Sequence, residues 1–321
     1  MTGRLVARWR YGALLLAIGL LAAACGGGNN DGGSAGGGSQ LSGTINIDGS
    51  STVAPLSEAA AELFQEQNSG VKVTVGTSGT GGGFEKFCAG ETDISDASRP
   101  IEADETKACA SKGIKYEQVQ VANDGLTLVV NPQNTWAKCL TVAQLKKIWD
   151  KGSKVDNWNQ VDPSFPNEPL KLFGAGTDSG TFDYFTNAIN GEEGRSRSDY
   201  SATEDDNVTV TGVSGSKGGL GYFGLSYLEE NQGKVQSIQV NGGGGCVAPS
   251  KETVQDGSYK PLSRPLFIYP SDKSLERPEV KAFTEFYVNN NQKIAEEALF
   301  VPMTDQQATQ AKAKVQKLAT S

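Results

Sequence analysis

From about Ser42 to its end, the chain alternates short β-type runs with amphipathic helical runs. This alternation is typical of α/β architectures, in which helices cover the faces of a sheet. Strands are predicted at 44–47, 71–75, 126–130, 171–173 and 265–269, and helices at 55–67, 84–89, 142–149, 182–189, 279–289 and 305–318. The 321 residues are enough for about two domains.

Two of the predicted strands mark the places where the chain would pass between two lobes. The apolar runs 126–130 and 265–269 each lie at a change in local character, and the stretch between them is rich in glycine and asparagine. We therefore expect an α/β fold of two lobes joined by a two-strand hinge. Residues 41–130 and 265–321 would form lobe one, and residues 131–264 would form lobe two.

The N-terminus indicates export. Residues 1–24 contain three arginines and no acidic residue, with an apolar run from Tyr11 to Leu21 and small residues before Cys25. These are features of a secretory signal, and the apolar run is too short for a comfortable membrane span. The residues from Leu21 to Cys25 resemble the lipobox of bacterial lipoproteins, in which the cysteine becomes the lipidated first residue. The alternative is ordinary cleavage that leaves Cys25 as a free thiol.

A glycine-rich segment follows the predicted signal. Residues 26–40 contain eight glycines and no apolar residue larger than alanine. Such a segment cannot pack into a core, so residues 25–40 are predicted to form a flexible tether. We expect the protein to be exported and lipid-anchored to the cell membrane, on its periplasmic or extracellular face.

Four cysteines remain beyond Cys25, and an even number in an exported chain indicates disulfides. Four cysteines allow three pairings, and their spacing does not choose between them. We expect Cys88–Cys109 and Cys139–Cys246, because each bridge then stays within one lobe. A zinc site is not expected, because no two cysteines have C-x-x-C spacing.

The chain contains no histidine and has a net charge of −8. Without histidine it cannot build a Ser-His-Asp or Cys-His catalytic group or an imidazole site for a metal. The acidic balance also disfavours broad contact with nucleic-acid phosphates, which needs clustered Lys and Arg. We therefore expect no enzyme activity, no cofactor, no metal and no nucleic-acid partner. We also expect a monomeric state.

Three segments share one local pattern, in which a strand leads through a loop of Gly, Ser and Thr into a helix. They are residues 48–53, 76–84 and 174–182. At a helix N-terminus the first N–H groups lack intrahelical partners and the macrodipole is positive, so an anion is favoured there. Any one such loop is more commonly a simple helix cap. Three ends that converge on one point would bind an oxyanion without much net positive charge.

A fourth segment, residues 93–101, adds Arg99. Its planar and permanently charged guanidinium matches a tetrahedral oxyanion, and the alternative is a surface salt bridge. None of the loops has the lysine of a nucleotide-binding P-loop, and no serine stands in Gly-x-Ser-x-Gly. The segments therefore predict oxyanion binding rather than nucleotide binding or covalent catalysis.

Five ordered motifs span the chain from about residue 43 onward: DGSSTV, TSGTGGGFEKFCAGETDISDASRPI, GAGTDSGTFDYF, GYFGLSYLEEN and PLSRPLFIY. Together they resemble the PstS-type phosphate-binding proteins of bacterial ABC transporters, and more closely the branch that includes cyanobacterial SphX-like proteins. The resemblance implies a type II periplasmic-binding-protein fold. Its two lobes would close around inorganic phosphate and deliver it to the permease subunits of an ABC transporter.

The resemblance also implies phosphate-binding residues in the three loops. They are Ser51, Thr52 and Val53, of which valine gives only its N–H; Thr80, or Ser78 if the register shifts; and Ser179, Gly180 and Thr181. This chain departs from the enteric members at two positions. Those members carry a pocket carboxylate where this chain has Ser98, and a pocket arginine where this chain has Ala175. Arg99 is expected to replace that arginine from the opposite lobe.

The identity of the group that would accept the proton of the ligand stays open. An ionised carboxylate would accept the proton of hydrogen phosphate and repel sulfate. Asp96 and Asp178 are candidates and Asp48 is less favoured, while Asp178 would alternatively stabilise its helix N-terminus. The competing functions are a receptor for sulfate or molybdate, a sensor or scavenger without a transporter, and a secreted phosphatase that uses the same anion cradle.

Overall fold

The computed structural model describes residues 41–177 and 179–320. The predicted signal segment, the tether with Cys25, and Asp178 lie outside the described residues. The described strands are β1 Gly43–Gly49, β2 Val71–Gly76, β3 Ile94–Ala97, β4 Val119–Val130, β5 Cys139–Thr141, β6 Lys171–Ala175, β7 Ser201–Thr203, β8 Gly219–Gly224, β9 Gln236–Ser237, β10 Gln239–Asn241, β11 Cys246–Val247 and β12 Ser263–Pro270.

Helices alternate with these strands along the chain. They are α1 Ala54–Gln67, α2 Gly79–Ala89, α3 Ala103–Ser111, α4 Val142–Trp149, α5 Trp158–Val161, α6 Gly180–Asn190, α7 Asp206–Ser214, α8 Leu225–Glu230, α9 Lys251–Gln255, α10 Asp272–Leu275, α11 Pro278–Asn289, α12 Asn291–Glu297 and α13 Asp305–Leu318. Among the described residues, no helix is both long enough and apolar enough to cross a membrane.

The larger sheet has the strand order β2-β1-β3-β12-β4-β8-β6-β7, and β9 pairs with β4. Strand β4 belongs to both halves of this sheet. Its first part, up to Gly125, pairs antiparallel with β12, and its second part, from Leu126, pairs antiparallel with β8. A small second sheet joins β11, β10 and β5. The chain therefore passes from one half of the sheet to the other within a single continuous strand.

Each half of the sheet has its own hydrophobic core. Side chains of β1, α1, β12 and α11 form one core, while α4, α6 and β8 contribute Trp149, Phe185 and Tyr222 to the other. Within β4, Ala122 packs into the first core, whereas Leu126, Leu128 and Val130 pack into the second. This confirms the expected two-lobed α/β fold, and the change of core falls at Asp124 and Gly125.

Local sequence explains where the site helices begin. Helix α1 has proline in its first turn and buries Leu56, Ala60 and Phe64, which recur at the helical spacing of four residues. Helix α2 begins at Gly79, inside the segment predicted to be a loop. A Cβ on Gly83 would lie 2.5 Å from the Cα of Gly49, so glycine here allows α2 to lie against β1.

Two disulfides lie in the described residues, Cys88–Cys109 and Cys139–Cys246. Both are the predicted pairings. The first joins α2 to α3 and contributes to a buried cluster with Phe84, Phe87 and Tyr269. The second joins β5 to β11 in the small sheet, so each bridge reinforces one lobe.

Candidate functional site

A cavity of about 630 Å³ lies between the two lobes. Hydroxyl, guanidinium and carboxylate groups from both lobes line it. The lining residues are Ser50, Ser51, Thr52, Ser78, Gly79, Thr80, Gly81, Ser98, Arg99, Asp183, Tyr184, Asn187, Ala188, Glu193, Pro261, Ser263 and Arg264. The structure thus brings together the predicted residues Ser51, Thr52, Ser78, Thr80, Ser98 and Arg99.

The first loop turns tightly into α1. The backbone N–H groups of Val53 and Ala54 donate to the carbonyl of Ser50, at 3.1 and 3.0 Å, and the Ser50 N–H donates to the carbonyl of Asp96 at 2.9 Å. The Val53 side chain is buried in the first core. Ser51 and Thr52 therefore face the cavity, whereas the N–H of Val53 is already used within the turn.

Asp48 holds the second loop in place. Its carboxylate accepts hydrogen bonds from the Ser78 hydroxyl, from the Ser78 N–H at 3.2 Å and from the Lys86 ammonium at 2.7 Å. Burial raises the pKa of Asp48, but the hydrogen bonds from Lys86 and Ser78 outweigh it, so the pKa is lowered overall. Asp48 is therefore an ionised positioning group, and the Ser78 hydroxyl is committed to it.

Thr80 and Ser98 form a pair of hydroxyls on the cavity wall. Their oxygens lie 3.2 Å apart, and the Ser98 N–H donates to the Thr80 hydroxyl at 3.3 Å. One hydroxyl of the pair donates to the other, so the accepting hydroxyl keeps its proton for a bound anion. Of the two registers left open by the sequence, the geometry favours Thr80 over Ser78 as the ligand hydroxyl.

Arg99 lines the cavity, but its guanidinium already has carboxylate partners. It donates to both carboxylate oxygens of Glu105, at 2.9 and 2.7 Å, and lies 3.4 Å from Glu102. The hydrogen bond to Glu105 and the negative charges around it raise the pKa of Arg99, against the effect of burial. The paired N–H groups expected to hold an oxyanion are thus engaged with Glu105.

Arg264 at the start of β12 is a second cavity arginine, which the sequence reasoning missed. Its guanidinium donates to Asp124 at 3.2 Å, to the Thr52 hydroxyl at 3.0 Å and to the Ser98 carbonyl at 3.4 Å. It also stacks over the Tyr184 ring, 3.6 Å from the ring centroid. Arg264 therefore contacts the first loop, the Ser98 segment and helix α6 of the other lobe.

Asp124 lies directly opposite Arg264 in the register of β4 and β12. Burial raises the pKa of Asp124, and Arg264 only partly opposes that effect. The motif PLSRPLFIY contained this arginine, but the predicted strand began one residue after it. A basic residue at the point where the chain crosses between lobes is the signal that would have identified it.

The third loop touches the first. The Ser179 hydroxyl caps α6 by accepting from the Thr181 N–H at 3.1 Å, and the Gly180 carbonyl accepts from the Thr52 hydroxyl at 3.4 Å. A Cβ on Gly180 would lie 2.6 Å from the Thr52 hydroxyl oxygen, so glycine permits this close approach. Thr181 lines a smaller cavity of about 180 Å³ together with Asp124. The N-termini of α1 and α6 therefore meet, while the wall of the larger cavity is formed by later residues of α6.

Asp96 lies outside the cavity lining. Its side chain is fully buried behind the first loop, where one carboxylate oxygen accepts from the Ser57 hydroxyl at 2.9 Å. The other oxygen has no hydrogen-bond partner within the described residues. Burial raises the pKa of Asp96 to about 8, with Ser57 opposing and the charges of Asp48 and Glu58 adding to the shift. Asp96 is therefore a buried, protonated acid below the loop.

Two carboxylates of the second lobe do line the cavity, Asp183 on α6 and Glu193 just beyond it. Burial raises the pKa of Asp183, the charge of Glu193 adds to this shift, and Arg264 lowers it. A carboxylate in this position can accept a proton shared with a bound ligand. Neither residue was among the predicted acceptors.

Two lobes that enclose a cavity of hydroxyl donors and arginine, with hinge strands beneath it, define a solute-binding receptor. A search with protein-family models matches residues 34–291 to the PBP superfamily domain. The SphX protein of Synechococcus elongatus is 50% identical over 81% of this chain and 77% of its own length. The phosphate-binding protein PstS of Staphylococcus saprophyticus is 40% identical over 85% of this chain and 84% of its own length.

A solved structure of a possible phosphate binding protein from Planctomyces limnophilus superposes with a TM-score of 0.83. It is 48% identical and covers 87% of this chain and 99% of its own. The fold is thus the type II periplasmic-binding-protein fold expected from the motifs. The chain belongs to the PBP superfamily and, within it, to the family of the SphX and PstS proteins.

Proposed function

We propose that this protein captures inorganic phosphate between its two lobes and delivers it to the permease of an ABC transporter. The observation that carries the proposal is Arg264, a half-buried arginine on a hinge strand that reaches the hydroxyl of Thr52 and stacks on Tyr184 of the opposite lobe. Its planar guanidinium offers paired N–H donors to a tetrahedral oxyanion. The family relationship supports phosphate as that oxyanion.

The binding groups that we propose come from five segments. Ser51 and Thr52, Thr80 and Ser98 would bind from lobe one, and Arg264 from the hinge. The N-terminus of α6 at Ser179, Gly180 and Thr181 would bind from lobe two, although in this structure it lies against the first loop and outside the lining of the larger cavity. Arg99 would act at the cavity rim with Glu105 rather than as the main ligand. Oriented hydroxyl and N–H dipoles favour an anion even in an acidic protein, because they lie within hydrogen-bond reach of it.

We propose Asp183, with Glu193 beside it, as the acceptor of the phosphate proton. Hydrogen phosphate carries a proton that a carboxylate can accept, while fully deprotonated sulfate would face the carboxylate with a like charge. Asp48, Asp96 and Asp124 are less suited, because each is engaged behind the cavity wall by other groups. Asp178 lies outside the described residues.

The remaining parts of the proposal concern location and organisation. Cleavage before Cys25, lipidation of Cys25 and the tether at 25–40 would hold a monomeric receptor at the outer face of the cell membrane. We place the lobe boundaries at Gly125 and near Ser263, where the packing changes from one core to the other. The protein would bind and release phosphate without chemical reaction.

Isothermal titration of the soluble chain from residue 41 with phosphate and with sulfate tests the proposed ligand. We expect micromolar or tighter binding of phosphate and little binding of sulfate. Equal affinity for the two ions, or tight binding of molybdate alone, would assign the cavity to another oxyanion. Release of nitrophenol from nitrophenyl phosphate, with or without divalent metals, would instead indicate a phosphatase.

A further inference from the structure

An ion pair lies at the rim of the cavity between the lobes. Arg99 lines that cavity, but its guanidinium donates to both carboxylate oxygens of Glu105, from Nη1 at 2.9 Å and from Nη2 at 2.7 Å. Two parallel N–H bonds are also the geometry in which arginine binds a phosphate oxyanion. The Glu105 carboxylate thus occupies the N–H groups that a ligand in the cavity would use.

Glu105 is fixed in place by its position in helix α3. It is the third residue of this helix, and its carboxylate accepts from the Glu102 N–H at 2.7 Å, which forms part of a capping box. The Cys88–Cys109 disulfide joins α3 to α2, the helix that contains Thr80. The Glu105 side chain is 17% exposed, whereas that of Glu102 is 67% exposed. Glu105 is therefore a fixed part of the cavity rim, and Glu102 is a solvated neighbour.

The pair also sets the charge of the rim. Burial raises the pKa of Glu105, but the hydrogen bonds from Arg99 and from the Glu102 N–H outweigh it, so the pKa is lowered overall. Glu105 is therefore ionised at neutral pH, and its negative charge offsets the positive charge of Arg99. An oxyanion that binds to this guanidinium has to displace a carboxylate that already has good hydrogen-bond geometry.

We propose that Glu105 is an internal competitor of the ligand, which lowers phosphate affinity by occupying the guanidinium of Arg99. This inference rests on the proposed function, in which Arg264 is the main charged ligand. If Arg99 were free, a second arginine would join the binding groups and tighten the complex. Since affinity is tuned mostly through the dissociation rate, the pairing of Arg99 with Glu105 would favour release of phosphate from the receptor.

The test compares phosphate affinities by isothermal titration of the soluble chain from residue 41. The forms are the parent, Glu105→Gln, Arg99→Ala and the variant that combines the two. Glutamine has the shape of glutamate and is equally suited to the third position of a capping box, so Glu105→Gln removes the charge and keeps the cap of α3. Glu102→Gln is the matched control, because it removes an equal charge from an exposed acid that lies 3.4 Å from the same guanidinium.

We expect Glu105→Gln to bind phosphate about threefold to fivefold more tightly than the parent, a change typical of a partly exposed ion pair. Glu105→Ala should show the same gain although it also loses the capping side chain, which separates the effect of charge from that of helix stability. The gain should disappear when Arg99→Ala is also present, since there is no guanidinium to release. Glu102→Gln should change the affinity by less than about twofold.

Unchanged or weaker phosphate binding by both Glu105→Gln and Glu105→Ala would overturn the inference and leave the proposed function standing. An equal gain in the presence of Arg99→Ala would also overturn it, because the effect would then come from the overall charge of the rim rather than from the guanidinium. Absence of phosphate binding by the parent would instead refute the proposed function.

Discussion

Replacing Arg264 by alanine is the sharpest test of the cavity. The change removes the guanidinium that donates to Thr52, Ser98 and Asp124 and that would face the oxyanion. A hydrogen bond to a charged group contributes about 1.5–3 kcal/mol, and two such bonds to phosphate would be lost. Since about 2.7 kcal/mol corresponds to a factor of 100 in Kd, we expect phosphate affinity to fall at least about 100-fold.

The same substitution also affects stability, which must be separated from binding. The Asp124 side chain is only 7% exposed, and removing one partner of a buried ion pair typically costs about 3–5 kcal/mol of unfolding free energy. The cost here should fall toward the lower end, because burial already raises the pKa of Asp124 and a proton can neutralise it. Adding Asp124→Asn to Arg264→Ala removes the unpaired charge and should restore much of the stability but none of the phosphate affinity.

Arg99→Ala provides the comparison. Since its paired N–H groups are engaged with Glu105, we expect a loss of less than about tenfold in phosphate affinity, or about 1.4 kcal/mol. Isothermal titration gives the affinities, and urea unfolding gives the stabilities. The reasoning is refuted if the Arg264→Ala, Asp124→Asn double variant binds phosphate within about threefold of the parent, a change of about 0.7 kcal/mol. It would be refuted most directly if Arg99→Ala alone abolished binding.

Three further outcomes follow from the structure. Gly180→Ala should weaken phosphate binding in calorimetry, because the new Cβ would lie 2.6 Å from the Thr52 hydroxyl oxygen and force apart the N-termini of α1 and α6. The control Gly244→Ala, where a Cβ would meet no atom within 4 Å, should leave binding unchanged. The pKa of Asp96 is about 8 in the folded protein, above the unfolded value of about 3.9, so the folded state binds its proton more tightly. The unfolding free energy should therefore fall as the pH rises from about 4 to about 8. Urea unfolding at pH 5 to 8 should give a flatter profile for Asp96→Asn, and an identical profile would contradict the assignment. Removing the Cys139–Cys246 bridge, which spans 107 positions, should lower the unfolding free energy by about 4–5 kcal/mol. Removing Cys88–Cys109, which spans 21 positions, should lower it by about 3 kcal/mol. Equal losses in chemical denaturation would argue against the chain-entropy account.

The sequence was most informative where local rules act alone. Helices α4 and α13 have the predicted bounds, because Thr141 with Gln144 and Thr304 with Gln307 form capping boxes that set their starts. Strand β4 was predicted only from 126, because its first part contains Asn123 and Asp124, which a pattern of apolar residues does not include. These polar side chains are buried by tertiary partners, Pro302 and Gln307 for Asn123 and Arg264 for Asp124.

The candidate site likewise has residues that local sequence predicts and residues that it does not. Loops with Gly, Ser and Thr before helices marked Thr52 and Thr80, since the chemistry of a helix N-terminus is local in sequence. The choice between Arg99 and Arg264 is not local, because both guanidiniums are paired and what differs is their partners: Glu105 holds Arg99, whereas Thr52, Ser98 and Asp124 hold Arg264 at the hinge. Glu105 is six residues from Arg99, whereas the partners of Arg264 lie 140 to 212 residues away.

The position of Arg264 also explains how binding would be coupled to closure. Arg264 and Asp124 face each other on the two strands that join the lobes, so the ion pair lies where the chain crosses between the lobes. An oxyanion that draws the guanidinium toward Thr52 would change the balance of charge on Asp124 within the hinge itself. The stack on Tyr184 would pass the same displacement to α6, on which Asp183 lines the cavity. A single charged residue would thus give the ligand a larger effect on the closed form than on the open form, which is the condition for a ligand to shift the population of conformations.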